Sequence, residues 1–217
     1  MQEHQGVQMI DKSGFSRRLH GLQEQLLALF TALGQTLKQL NTTCRYMIDS
    51  FPAAVCHNVR IGRCHLLQQE VYRGKNTSKR QYFYGFKVQV ITTEAGLPVQ
   101  FYIHAGSFAD ITAFKAMPVD LPENSQLYAD SAYNCYEIED LLAECEHIQF
   151  HVCRKANSKR KDQPYTAFLK TYYRKQIETT FSGITNFFPK KIHAVTAKGF
   201  LLKIILFIFA YTLNQLT

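Results

Sequence analysis

Of the 17 acidic residues in this 217-residue chain, three occupy places where a carboxylate can do chemistry: Asp49, Asp130 and Glu178. Asp49 ends the apolar, β-prone run Tyr46-Met47-Ile48 and precedes Ser50-Phe51-Pro52, where the proline is expected to close a strand. Asp130 follows a second short strand pattern, Ser125 to Ala129, and Glu178 falls within a long helical pattern. A charge at the end of a central strand is costly unless a metal, a cation or a capping bond uses it. Hard divalent cations take oxygen ligands, and substrate phosphate and water complete their shell, so few carboxylates are needed. Two Mg²⁺ ions about 4 Å apart polarise a phosphodiester, activate a water or hydroxyl and stabilise the leaving oxygen. Without metal the same acids repel and raise one another's pKa. Each acid also has a plainer account. Asp49 can start a turn, Asp130 with Ser131 can cap a helix, and Glu178 can pair with Arg174 four residues earlier. Residue types alone leave both accounts open.

The elements that must bring these acids together read as follows. Residues 1–14 are polar and expected to be loose; residues 15–217 form one domain. Leu19, Leu22, Leu26, Leu29, Leu33, Leu37 and Leu40 recur at helical spacing, predicting one helix from Ser16, its N-cap, to Leu40. That helix packs on its own domain or pairs with a second copy. A Cys-rich, basic connection spans Val55 to Lys79. Tyr82 to Ile91 and Val99 to His104 read as a hairpin around Gly96. A short helix over 110–117, the strand before Asp130, a helix over 136–145 and a strand over 148–153 follow. A long helix over 164–187 and an apolar helix over 197–216, with Thr196 as its cap, complete the chain. The last helix has an uninterrupted apolar core of about two turns, short of the roughly 20 apolar residues of a membrane span, so it is expected to be buried. Strands interleaved with helices predict an α/β domain with a mixed sheet flanked by helices, and in such sheets chemistry gathers at strand ends.

Composition narrows the partners. With 46% hydrophobic residues the chain can bury a core. Its formal net charge of +8 favours a polyanion. One basic cluster is Arg73, Lys75, Lys79 and Arg80, with Tyr82 and Tyr84 beyond it; another is Arg154, Lys155, Lys159, Arg160 and Lys161. Such clusters hold phosphate without reading sequence. The six cysteines contain no Cys-x-x-Cys pair, arguing against zinc and for reduced thiols. The N-terminus has neither the basic start nor the apolar run of a signal peptide.

Several stretches resemble the DDE transposases of bacterial insertion sequences, closest to insertion-sequence family 982. They are Ile48-Asp-Ser-Phe-Pro52, Ser78-Lys-Arg-x-Tyr-Phe-Tyr-Gly-Phe86, Gly106-Ser-Phe108, Asp130-x-Ala-Tyr133, Arg174-Lys-x-x-Glu-Thr-Thr-Phe181 and Phe188-Pro-Lys-x-Ile-His-Ala-Val-Thr-Ala197. The resemblance implies a ribonuclease-H-like fold, with Asp49, Asp130 and Glu178 as catalytic residues holding two Mg²⁺ or Mn²⁺ ions. It implies cleavage at the element's ends and strand transfer into target DNA. Lys79, Arg80, Arg154, Lys155, Lys159, Arg160, Lys161, Arg174 and Lys175 would contact nucleic acid. A homodimer is expected when active, with a cytoplasmic, nucleoid-associated location and no membrane. The match begins near Ser13, where the family has a longer N-terminal region, so an N-terminally truncated form is expected. Ser131, Ala109 and His57 also stand where the family has Lys, His and Asp. The alternative is a truncated, non-catalytic remnant that binds DNA or full-length transposase as a regulator.

Overall fold

The long strand β1 (Arg45–His57) organises the sheet. From Tyr46 to His57 it pairs antiparallel with β3 (Gln81–Thr93). On its other edge it pairs parallel with β5 (Gln126–Ala129), but only from Arg45 to Ile48. The strand therefore does not end at Asp49, as the sequence predicts. Pro52 lies within it, opposite Lys87. Among the described residues, no strand pairs with the second edge of β1 beyond Ile48, and a proline that donates no hydrogen bond is tolerated there. The strand end that matters is that of β5.

The structure is a computed structural model and describes residues 11–76 and 80–216. Among these, β2 (Arg73–Asn76) and β4 (Pro98–Ala105) share the far edge of β3 end to end, β2 along residues 81–84 and β4 along residues 86–92. β6 (Gln149–Val152) runs parallel to β5. The order is β2-β3-β1-β5-β6 with β4 beside β3, a mixed six-stranded sheet. The expected 55–79 connection is shorter than predicted. β1 continues to His57, and two 3-10 turns lead into β2, which the sequence did not reveal.

Helices cover both faces: α1 (Lys12–Gly21), α2 (Gln23–Leu40), α3 (Asp110–Ala116), α4 (Tyr136–Cys145), α5 (Pro164–Phe187) and α6 (Ala197–Asn214). Side chains alternate across a strand, and the two cores follow that alternation. Met47, Phe51, Val88, Val90 and Tyr128 face α5 and α6 through Tyr173, Ile177, Phe181, Ile184, Phe200, Ile204 and Ile208. Tyr46, Ile48, Ile91, Leu127 and Ala129 face the other way, against Leu37, Phe114, Tyr133 and Leu142. The result is the α/β, ribonuclease-H-like architecture the sequence predicts.

The N-terminal helical region differs from its expectation. It is two helices, broken at Leu22 just after Gly21, a poor helix former. The N-cap is Asp11, whose Oδ1 accepts from the Gly14 amide at 2.9 Å, rather than Ser16. The helix starts at Lys12, inside the segment expected to be loose; residues 1–10 lie outside the described region. Leu22, Leu29 and Leu40 of the predicted stripe are exposed. The face that packs carries Phe30, Gly34, Leu37 and Lys38. Gly34 permits this approach, since a Cβ there would lie 2.2 Å from the Val99 carbonyl oxygen of β4. α6 starts as predicted, with Thr196 Oγ1 accepting from the Gly199 amide at 3.0 Å, and buries Phe200, Leu202, Ile204, Ile205 and Ile208. It is also long and apolar enough to cross a membrane.

Candidate active site

The register places Asp49 and Asp130 side by side. Ile48 and Ala129 are the last paired residues of β1 and β5, so each aspartate is the next residue along neighbouring strands. Alternation turns both toward the layer of α5. The Ser50 amide donates to Asp49 Oδ1 at 2.7 Å. The Ala132 amide donates to Asp130 Oδ1 at 2.7 Å, so Asp130 also caps the 3-10 turn Ser131–Tyr133. Burial pushes the Asp49 carboxyl up to about 7, with the Ser50 amide opposing and the charges of Asp130, Asp110 and Glu178 adding to the rise. Burial likewise raises Asp130, and Asp110 adds to it. Two half-buried carboxylates of raised pKa, offering only oxygen donors, fit a hard divalent cation.

Glu178 lies on the exposed face of α5, beside the buried stripe of Ile177, Phe181 and Ile184. Its side chain is 63% exposed and takes a hydrogen bond from Arg174 Nε at 3.3 Å. The plainer account of Glu178 thus describes this conformation, although its charge reaches Asp49. Among the described residues, no three His, Cys, Asp or Glu side chains stand so as to hold a metal ion. The structure brings the two aspartates together and leaves Glu178 outside a closed ligand set.

Four residues around the acids, Ser50, Lys87, Asp110 and Tyr133, were given no role from the sequence. Asp110 at the start of α3 accepts from Ser50 Oγ at 2.7 Å and pairs with Lys87 Nζ at 3.2 Å. Tyr133 is wholly buried, and the charged groups near its hydroxyl are Asp49, Asp110 and Asp130. The only sequence signal for Asp110 is its place in the loop after the hairpin, beside Gly106-Ser-Phe108.

The basic residues differ in exposure and in their partners, Arg174 being both exposed and paired with Glu178. Lys155, Lys159, Lys161, Arg174 and Lys175 are exposed, and Lys155 and Arg174 lie near enough to Asp130 for their charges to lower its pKa. Lys155, Lys161 and Arg174 line a cleft of about 410 Å³ between the 154–161 loop and α5. Arg154 also lines this cleft but is engaged within the protein. Its side chain is 12% exposed and makes a two-pronged contact with Glu139, one arm at 2.6 Å, besides a bond to Asn134. It ties the chain just after β6 to α4. Arg160 is exposed but paired: both arms bind Asp140 at 2.7 Å, and the guanidinium lies 4.6 Å from the Tyr136 ring centre. Arg80 is exposed at the turn of the β2–β3 hairpin, and Lys79 lies outside the described residues. On that hairpin, Arg73 and Lys75 sit 4.9 and 5.9 Å from the exposed Tyr82 ring. Tyr84 instead turns inward to Glu70.

A family model described as a transposase DDE domain matches residues 39–195, a span that holds Asp49, Asp110, Asp130 and Glu178. No curated protein and no solved structure matches the chain. DDE transposase domains act on DNA and generally use divalent metal ions. With more than half of its length matched, from the end of α2 to the loop before α6, the chain belongs to the family of transposase DDE domains.

Proposed function

We propose that this protein cleaves DNA at the ends of an insertion sequence and joins the freed ends to target DNA, as a member of insertion-sequence family 982. The observation that carries this reading is that Asp49 and Asp130 each directly follow the last paired residues of β1 and β5, within the matched span. Asp49 and Asp130 would hold Mg²⁺ or Mn²⁺, two ions in the working site, and Glu178 would join them by turning away from Arg174. Bound there, the ions supply charge neutralisation at the phosphodiester and an activated water. The exposed face of α5 leaves the Glu178 side chain free to turn. Lys155, Lys161 and Arg174 along the cleft, with the exposed Lys159 and Lys175 beside them in the chain, hold backbone phosphates and fix the strand over the aspartates. Water attack frees a 3′-hydroxyl, and that hydroxyl attacks target DNA without a covalent protein–DNA intermediate. Assembly as a homodimer and a place near the nucleoid belong to the same proposal.

A second reading, a DNA-binding regulator without catalysis, draws on the position of Glu178 beside Arg174. Nicking of DNA with Mn²⁺ by wild type and Glu178→Gln separates the two. The proposed function expects activity in wild type and none in the variant, with equal DNA affinity. Gln keeps the shape and helix propensity but loses the charge. Because the Arg174–Glu178 pair is exposed, its loss costs at most about 1 kcal/mol of stability. Equal activity in both proteins would remove Glu178 from the site. A folded, DNA-bound wild type inactive with every divalent metal would favour the regulator.

A further inference from the structure

Asp110 approaches the aspartate pair from the opposite layer to Glu178. Ser50 follows Asp49 on β1, its side chain therefore points to the α3 side, and its hydroxyl donates to Asp110 Oδ1 at 2.7 Å. Among the described residues, no strand covers this edge of β1 beyond Ile48, which leaves the edge open to both layers. The charge of Asp110 acts on both Asp49 and Asp130, and on Asp49 more than the charge of Glu178 does. One further group points to a missing occupant. Among the described residues the hydroxyl of Tyr133, a residue with no exposed surface, has no partner in hydrogen-bond geometry, and the charges of Asp49, Asp110 and Asp130 act on it. The Ser50 hydroxyl is near, but its proton is directed to Asp110 and the two hydroxyls lack hydrogen-bond geometry. A buried phenol with nothing to bind is costly. Lys87 completes the picture, with its ammonium 3.2 Å from Asp110 Oδ1 and 3.3 Å from the Phe108 carbonyl oxygen.

We propose that Asp110 is a third carboxylate ligand of the divalent-cation site, joining Asp49 and Asp130, with Lys87 as the positive charge that occupies Asp110 until the cation replaces it. The Tyr133 hydroxyl then donates to a carboxylate oxygen of the filled site and fixes its orientation, as outer-shell groups do. This inference rests on the metal-dependent reading above. It accounts for the acids not forming a closed ligand set as they stand, because Asp110 is held by Lys87 and Ser50.

The test is calorimetric titration of the full chain with Mn²⁺ alone, without DNA. Asp110→Asn should weaken Mn²⁺ binding by at least about tenfold. Lys87→Met, which removes the competing charge, should bind no more weakly than wild type. Tyr133→Phe keeps the core shape and removes only the hydroxyl, so it should weaken binding several-fold with an unchanged melting temperature; it carries the test if Asp110→Asn does not fold. Wild-type affinity in both Asp110→Asn and Tyr133→Phe overturns the inference, as does equal weakening in Asp110→Asn and Lys87→Met, the mark of a structural ion pair. Binding lost in Asp49→Asn but untouched in Asp110→Asn would remove this inference and leave the proposed function standing. A wild type that binds no Mn²⁺ overturns the inference as well.

Discussion

Asp49 is held in a folded environment that disfavours its charge. An unfolded aspartate titrates near 3.9, whereas burial raises this one to about 7. For a carboxyl whose folded pKa is raised, the unfolded state releases its proton first as pH rises. The favourable contribution of the neutral form is complete below about pH 4 and is lost progressively up to about pH 7. Asp49→Asn removes the titration. In chelator, the melting temperature of the variant relative to wild type should therefore climb between pH 4 and 7 and level off above. The climb corresponds to a few kcal/mol at most. Saturating Mn²⁺ should erase the advantage by stabilising the wild type alone. A temperature difference independent of pH would mean that Asp49 is not held above its ordinary range. At this scale the sequence showed Asp49 and Asp130 because each follows a short apolar run. It hid Asp110 because nothing local marks that residue: its role comes from Ser50, Lys87 and Tyr133, which lie far away in the chain and meet only in the fold.

Elements were legible where periodicity was strong and local. α4 and α5 fall within the predicted limits because apolar spacing and a first-turn proline define them. β1 was cut short because Pro52 reads as a stop, and only the absence of a neighbour beyond β5 makes it tolerable. The N-terminal helix was read as a leucine stripe, yet α2 docks through Phe30, Gly34 and Leu37. Leucine spacing marks a helix but not the face that finds a partner. The docking can be probed by two glycines. Gly34→Ala drives a methyl group into the Val99 carbonyl and should cost about 1–3 kcal/mol as overpacking. Gly21→Ala, at the end of α1 with nothing within 4 Å, should stabilise by up to about 1 kcal/mol through helix propensity. Thermal unfolding of both variants measures the contrast, with about 2–4 °C per kcal/mol expected for a chain of this length. Equal effects would mean that α2 does not sit on β4 as described.

Across the whole molecule, the net charge of +8 overstates the cations available to a polyanion, because some are paired internally. The count was legible in the sequence; the pairing was not, since Glu139 and Asp140 lie on α4 and their partners on a loop beyond β6. Arg154 and Arg160 are engaged with those acids, whereas Lys155, Lys159 and Lys161 of the same loop are exposed. Binding to DNA releases counterions, and each phosphate contact adds about 0.9 to the slope of log affinity against log salt. Substituting Lys155, Lys159 or Lys161 by Gln should each lower that slope by about one contact's worth, with an unchanged melting temperature. Arg160→Gln should leave the slope nearly intact, because Asp140 already neutralises the guanidinium. Arg154→Gln belongs to a different class: it strands the buried carboxylate of Glu139 and should destabilise by about 3–5 kcal/mol. Anisotropy titrations from low to physiological salt, alongside thermal melts of each variant, separate the groups. An Arg154→Gln protein that keeps its stability but loses one contact's slope would put that side chain on DNA, against its position between β6 and α4. Affinity that stays flat across the salt range for wild type would deny the cleft a role in holding DNA.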